Sequence, residues 1–354
     1  MFDRTQLLEH AKTCNATDIH ICAGAPIIFR VAGELVPITK EPLSGLQSRQ
    51  ISLELLTEDQ KKQLATKLDF DLMLADKGGR YRINVGYFNG EIGATIRILP
   101  TAPKTIQELV LPDIIKVLSH KRKGLVLITG STSQGKTTTM TAMIDEINST
   151  SKKHVITIED PIEYVHPSIK CSVTQRQLGA DTLSFDNALK HILRQDPDVI
   201  LVGEMRDPET ADAVLTVAET GHFILTTGHA PSATQAMERV IDLFPPHQRH
   251  LAQTRLASLL VAALCQVLVP RADGSGRVAA VEIMLGNPAA KNLIREGKLY
   301  QLPNVIRTHR ELGMISLDEA LVNLYLKGTI TGKSVLDFCN DHTEVEKLVG
   351  KVKL

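Results

Sequence analysis

The chain has 354 residues, of which 43% are apolar and 23% charged, with Lys+Arg and Asp+Glu equal at 40 each. That length suits two soluble domains, and a formal net charge of zero leaves no overall basic footprint for nucleic acid. Aromatic residues make up 4% with no Trp, which argues against base-stacking platforms. The five cysteines (Cys14, Cys22, Cys171, Cys265, Cys339) are scattered without a C-x-x-C pair, so neither a zinc site nor a disulfide framework is expected. Reduced thiols, and an N-terminus without the apolar core of a signal peptide, fit a cytoplasmic protein. The most apolar stretch, Leu259 to Val269, is short and carries Gln266, so it reads as a buried element and not a membrane span. Work at a membrane would then need a recruiting partner.

Residues 1–99 read as a small α+β domain. A helix near Gln6–Lys12 is followed by strands near Asp18–Cys22, Ile27–Val31 and Glu34–Pro37, punctuated by Gly24, Pro26 and Gly33. Helical stretches near Gly45–Leu56 and Glu58–Lys67 come next. Arg80 to Ile98 reads as two long strands joined at Asn89-Gly90, a strong hairpin signal. Pro100 and Pro103 open a linker, 100–111. From 112 to 354 strands and helices alternate: strands Leu125–Thr129, His154–Ile158, Asp198–Val202 and His222–Thr227, with helices Thr137–Asn148, Phe185–Arg194 and Pro208–Thr220 between them. Asp207 is placed as an N-cap, with Pro208 at the first helical position and Gly221 just past the end. The alternation predicts an α/β sheet covered on both faces, with ligands at the carboxyl ends of its strands. After a strand at Arg277–Leu285, the region 288–354 reads as helical.

Directly after the strand Leu125–Thr129 comes Gly130-Ser131-Thr132-Ser133-Gln134-Gly135-Lys136-Thr137, the spacing G-x-x-x-x-G-K-[ST] of a phosphate-binding loop. Backbone N–H groups there can wrap a polyphosphate, Lys136 can reach the outer phosphates, and the Thr137 hydroxyl can hold Mg²⁺. Thr138 continues the first turn of the helix that points its positive end at the anion. Nucleotide binding is therefore expected, with ATP and Mg²⁺ as ligands. Gly332-Lys333-Ser334 repeats the core tripeptide, but Lys327 occupies the upstream glycine position, so it reads as an exposed turn.

Hydrolysis needs Mg²⁺ and a residue that orients water. Two acidic clusters follow strands: Glu159-Asp160-Pro161-Ile162-Glu163 and Gly203-Glu204-Met205-Arg206-Asp207. Glu163 and Glu204 are the functional candidates, whereas Asp207 suits its helix cap. His229 ends the fourth strand, where a γ-phosphate sensor would sit. His247 and His250 read as surface residues, having no apparent third ligand, and Lys121-Arg122-Lys123 reads as a solvated face.

Several longer strings resemble the type IV pilus retraction ATPase family (PilT) of the secretion ATPase superfamily. They are Thr157 through His166, Val173-Thr174-Gln175-Arg176, Asp196 through Asp207 and Ala218-Glu219-Thr220-Gly221-His222, with Asp18-Ile19-His20 and Gly79-Arg80-Tyr81-Arg82 in the first domain. The resemblance implies a PAS-like N-terminal domain, a RecA-like P-loop ATPase domain and assembly as a homo-hexamer. By it, Glu163 is similar to the water-activating residue, Glu204 to the Mg²⁺-side glutamate and His229 to the histidine sensor. Arg80, Arg82 and Arg97 resemble arginines that reach a nucleotide held by a neighbouring chain; guanidinium is well shaped for bidentate phosphate contact. The absence of a four-cysteine motif, and the string Pro288 through Glu296, favour retraction over pilus extension. The implied partners are an inner-membrane platform protein and a paralogous retraction ATPase, with no nucleic acid. An accessory, PilU-like role, another secretion-type ATPase, a nucleic-acid translocase and a non-hydrolysing scaffold are the alternatives. Three departures from the family pattern stand out. Ser133 and Gln134 replace a usual glycine-serine, with Ser133 expected to add bulk near phosphate; Gly228 replaces a leucine before the histidine; and Ala290 replaces a larger apolar residue.

Overall fold

Apolar residues at every second position build the first of two sheets. A computed structural model describes residues 3–31, 33–76, 79–99 and 102–349, which divide into the units Met1–Ala102 and Pro103–Leu354. The first unit contains α1 (Arg4–Thr13), β1 (Ala16–Ile21), β2 (Ile28–Val31), β3 (Glu34–Pro37), α2 (Gly45–Leu53), α3 (Glu58–Lys67), β4 (Asp69–Asp76), β5 (Gly79–Phe88) and β6 (Glu91–Leu99). All three helices start at capping boxes, Asp3 with Gln6, Ser44 with Gln47 and Thr57 with Gln60, each pair satisfying two backbone N–H groups that lack intrahelical partners. The strands form one antiparallel sheet in the order β3-β2-β1-β6-β5-β4. Ile19, Ile21, Ile83, Val85 and Ile96 pack with Leu7, Ile51 and Leu64 of the helices. Alternation puts Asp18, Arg80, Arg82 and Arg97 on the opposite face.

The second unit contains α4 (Ile114–Ser119), β7 (Gly124–Thr129), α5 (Lys136–Thr150), β8 (His154–Glu159), β9 (Ser172–Gln177), α6 (Phe185–Ile192), β10 (Val199–Val202), α7 (Pro208–Glu219), β11 (Phe223–Thr227), α8 (Ala233–Asp242), α9 (Arg249–Leu259), β12 (Leu260–Pro270) and β13 (Arg277–Leu285). The tail adds α10 (Pro288–Arg295), α11 (Leu302–Thr308), α12 (Leu317–Leu326), α13 (Gly332–Phe338) and α14 (His342–Val349). The sheet order is β13-β12-β7-β11-β10-β8-β9, parallel throughout except at the β12–β13 pair.

The central strands are apolar at successive positions because both faces are covered. Leu125, Leu127, Ile156, Ile158, Ile200, Val202 and Ile224 meet α6 to α11, while Val126, Ile128, Val155, Leu201 and Leu225 meet α4 and α5. The pairings Ile128 with Thr227, Thr226 with Val202 and Val202 with Ile158 bring the ends of β7, β11, β10 and β8 to one level. The four connections that follow them therefore open on the same edge.

Several expectations change. The linker expected at 100–111 does not extend that far, because Ile106 and Leu111 are buried in the core beneath α5; residues 100 and 101 lie outside the described residues. Gly332-Lys333-Ser334 is not an exposed turn: Thr331 caps the nitrogen of Ser334 and starts α13, with Gly332 and Ser334 buried. The tail is not an appendage either. Leu317, Leu321, Val335 and Val345 pack on Val269, Val278 and Ala280 of β12 and β13. Glu282 of β13 accepts from the first N–H of α8, Ala233, at 2.7 Å, and the first N–H of α12, Leu317, also favours its carboxylate form. Burial raises the pKa of that carboxyl, and the two N–H donors offset part of the shift.

Candidate functional site

The loop between β7 and α5 is shaped for an anion. Gly130, Ser133 and Gly135 all have positive φ (145°, 63° and 78°). A Cβ on Gly130 would sit 2.5 Å from the Gln266 carbonyl oxygen, so only glycine fits where β12 crosses beneath the loop. Helix α5 begins at Gly135 with no side-chain cap, unlike α1 to α3, so its first-turn N–H groups remain available to a bound group. Thr137 and Thr138 stand on that turn.

Gln266 supports the loop from below, its Oε1 accepting from Thr139 Oγ1 at 2.9 Å and its Nε2 donating to the Gln134 carbonyl. The Gln134 side chain in turn accepts from Leu268 N. Gln134 thus ties the loop to β12. The Ser133 side chain is exposed and its backbone holds a positive φ, a conformation that glycine adopts at lower cost.

Lys136 Nζ donates to the carbonyls of Gly130 (2.8 Å) and Gly228 (3.1 Å) and lies 3.1 Å from His229 Nδ1. Desolvation lowers the pKa of the buried ammonium, and the Glu204 carboxylate opposes that shift. The other His229 nitrogen, Nε2, is 3.6 Å from Glu204 Oε2, which pairs with Arg206 Nε at 2.6 Å. Lys136, His229 and Glu204 therefore form one continuous array across the ends of β7, β11 and β10. Arg239 donates to the His229 carbonyl and fixes that strand end. Asp207 caps α7 by accepting from Thr210 N at 2.7 Å.

Glu163 lies in the connection from β8 to β9. Its neighbour Tyr164 is buried; burial raises the tyrosine pKa, partly countered by Thr138 of the loop helix and reinforced by Glu163. Glu159 ends β8 and is buried, accepting from Thr157 Oγ1 at 2.6 Å and from Gln175 Nε2 at 3.0 Å.

Two cavities flank the array. One of about 460 Å³ adjoins the loop and is lined by Gly135, Thr138, Thr139, Gln266, Arg271 and Arg277. The other, about 380 Å³, is lined by Leu127, Met205, Arg206, Gly228, His229 and Arg239. A Cβ at Gly228 would meet only ordinary contacts of 3.5 Å or more, so glycine there is not sterically required and leaves that second cavity wider.

Within the first unit, Arg82 and Arg97 sit directly opposite one another on β5 and β6. Like charges in that register repel. Asp18, buried on β1, accepts from Arg97 Nε at 2.8 Å and offsets one of the two. The exposed pair retains a surplus positive charge on a strand face.

A family model described as Type II/IV secretion system protein matches residues 3–308. The chain belongs to that family. Among curated Type II/IV secretion system relatives, it is 42% identical over 330 residues to the type IV pilus retractation ATPase PilT of Pseudomonas aeruginosa, covering 93% of this chain and 96% of that one. It is equally 42% identical over 329 residues to the type IV pilus ATPase PilU of the same organism, covering 92% and 86%. A solved structure of the pilus retraction motor PilT with bound ADP superimposes with a TM-score of 0.90 at 37% identity, covering 98% of this chain and 100% of that one. The architecture is thus that of a Type II/IV secretion ATPase. No helix among the described residues is long and apolar enough to cross a membrane.

Proposed function

We propose that this chain is an ATP-hydrolysing motor that powers type IV pilus retraction. The observation that carries the reading is the Lys136–His229–Glu204 array at the open N-terminus of α5, within a chain similar over nearly its whole length to a retraction motor solved with ADP. Lys136 exchanges its carbonyl partners for the outer phosphates, and the N–H groups from Gly130 to Thr138 hold the rest. The cavity beside Thr138 has room for the nucleoside.

The donor set fits Mg²⁺, which keeps most of its water and takes only one or two protein oxygens beside phosphate. Thr137 Oγ1 and Glu204 would supply them. When bound, the ion neutralises developing charge on the phosphates. Glu163 orients the attacking water, and His229 reports the γ-phosphate to the strand end that Arg239 holds. Glu204, now paired with Arg206, would help hold the ion.

Six copies form a ring in which Arg80, Arg82 and Arg97 of one chain reach the nucleotide of the next. The surplus charge of the Arg82–Arg97 pair supports that contact. The first unit corresponds to a PAS-like domain, 1–99, and the second to a RecA-like domain. The ring works in the cytoplasm against an inner-membrane platform protein and co-assembles with a paralogous retraction ATPase. Equal identity to PilU supports a second reading, an accessory retraction subunit.

The test combines two variants with a deletion. Lys136→Ala should abolish turnover, and Glu163→Gln should bind ATP without hydrolysing it. Loss of the gene should leave cells with abundant pili that fail to retract. Normal retraction in the deletion strain would support the accessory reading, and wild-type hydrolysis by Glu163→Gln would remove the catalytic assignment.

A further inference from the structure

The segment that carries Glu163 has no regular secondary structure, yet the peptide groups on both sides of that residue are tied to the edge strand β9. Before it, Ile162 N donates to Gln177 Oε1 at 3.3 Å. After it, the Tyr164 carbonyl accepts from Gln175 Nε2 at 2.8 Å, and His166 N donates to Gln175 Oε1 at 2.8 Å. Gln175 and Gln177 are two residues apart on one strand, so both side chains leave the same face.

Gln175 has a third bond, from Nε2 to the buried Glu159 carboxylate at 3.0 Å. Its amide oxygen and nitrogen are thus both engaged, and exchanging them would break all three bonds. The far end of the connection is also held. Buried Asn148 near the end of α5 donates to the Pro167 carbonyl at 2.7 Å and accepts from Ile169 N at 3.1 Å. A loop that must present one carboxylate to a phosphate site is held here by side-chain amides in place of a backbone ladder.

We propose that Gln175 is the positioning residue for Glu163, fixing the β8–β9 connection so that the carboxylate meets the attacking water. Gln175 touches no substrate; it acts by holding the peptides around Glu163 and by locking the end of β8 through Glu159. This inference rests on the reading of Glu163 given above. A displacement of about 1 Å in such a group costs on the order of 100-fold in rate, with no matching loss of ground-state binding.

The test uses the purified full-length protein and measures ATP turnover and ADP affinity for Glu163→Gln, Gln175→Ala, Gln175→Asn and Gln177→Ala. Gln175→Ala should lower kcat by about 10- to 100-fold while the ADP Kd stays within about threefold. Gln177→Ala removes a single long bond and should lower kcat by less. Gln175→Asn keeps a half-buried amide but is one methylene too short, so it should behave like the alanine variant, and it carries the test if Gln175→Ala does not fold. If Glu163→Gln is inactive and Gln175→Ala turns over at the wild-type rate, the positioning role is wrong and the function stands. If kcat, affinity and thermal stability of the Gln175 variants all fall together, the residue is merely structural and the inference is overturned. If Glu163→Gln hydrolyses ATP normally, the catalytic reading itself fails, and this inference with it.

Discussion

Ser133 offers a clean separation of backbone strain from side-chain bulk. It holds φ at 63°, and its side chain is exposed. The left-handed conformation costs a non-glycine residue roughly 1–2 kcal/mol. Glycine removes that cost but adds about 0.5–1 kcal/mol of chain entropy in the unfolded state. Ser133→Gly should therefore stabilise the second unit by about 0.5–1 kcal/mol, which is roughly 1–4 °C in the Tm of a unit this size. Ser133→Ala retains the strain and should leave Tm unchanged or slightly lower. The loop keeps one conformation with and without ligand on this account, so ADP affinity should stay within about twofold for both variants. Thermal unfolding and ADP titration of the three proteins decide the matter. If glycine and alanine raise affinity or stability equally, side-chain bulk is the operative quantity and the strain argument is refuted.

Acid should weaken the fold through His166. Burial pushes its pKa from the ordinary 6.5 down to about 4, so the unfolded chain takes up a proton first as pH falls. Stability from this group is complete above pH 6.5 and falls by about 3 kcal/mol as pH approaches 4. The stability gap between wild type and His166→Leu, followed by denaturant unfolding, should shift by that amount between pH 7.5 and 4; a constant gap would exclude it. Asp207→Ala should lose about 1 kcal/mol of stability through the α7 cap, seen as a lower unfolding midpoint with turnover intact. Gln266→Leu should loosen the loop by freeing Thr139 and the Gln134 carbonyl, raising the Kd for ADP several-fold; unchanged affinity would show that β12 does not brace it.

The sheet's interior was legible because β7, β8, β10 and β11 are runs of Val, Ile and Leu with covered faces. The edge strands β3 and β13 were legible too, but β9 and β4 were not. β9 has Val173 as its one apolar residue and is held by β8 alone; β4, at the edge of the first sheet, turns Phe70, Leu72 and Leu74 to the core, an alternation obscured by Met73 and Ala75 among its other positions. The phosphate loop was legible because its chemistry is contiguous. The contact of Lys136 with His229 spans 93 positions and exists only once β7 and β11 are side by side. Gln175 and Asn148 carry no local signature, since an amide side chain looks the same in a solvated turn as in a buried brace. Gln266 did have one, a polar residue inside the stretch Leu259–Val269, where the sequence suggested burial but not the partner it serves.

Glu282 gives the tail a consequence for how this chain can be divided. Its carboxylate closes the start of α8 and is favoured by the first N–H of α12, and the underside of α12 to α14 is the cover of β12 and β13. A chain shortened after Gly313 would take Leu317 away from that carboxylate and would bare Val269, Val278 and Ala280 to water. It would not be the same engine without a handle. The cut face would be sticky, and it would lie on the strand whose Gln266 holds the phosphate loop, so damage at the last forty residues would be read at the first step of the reaction.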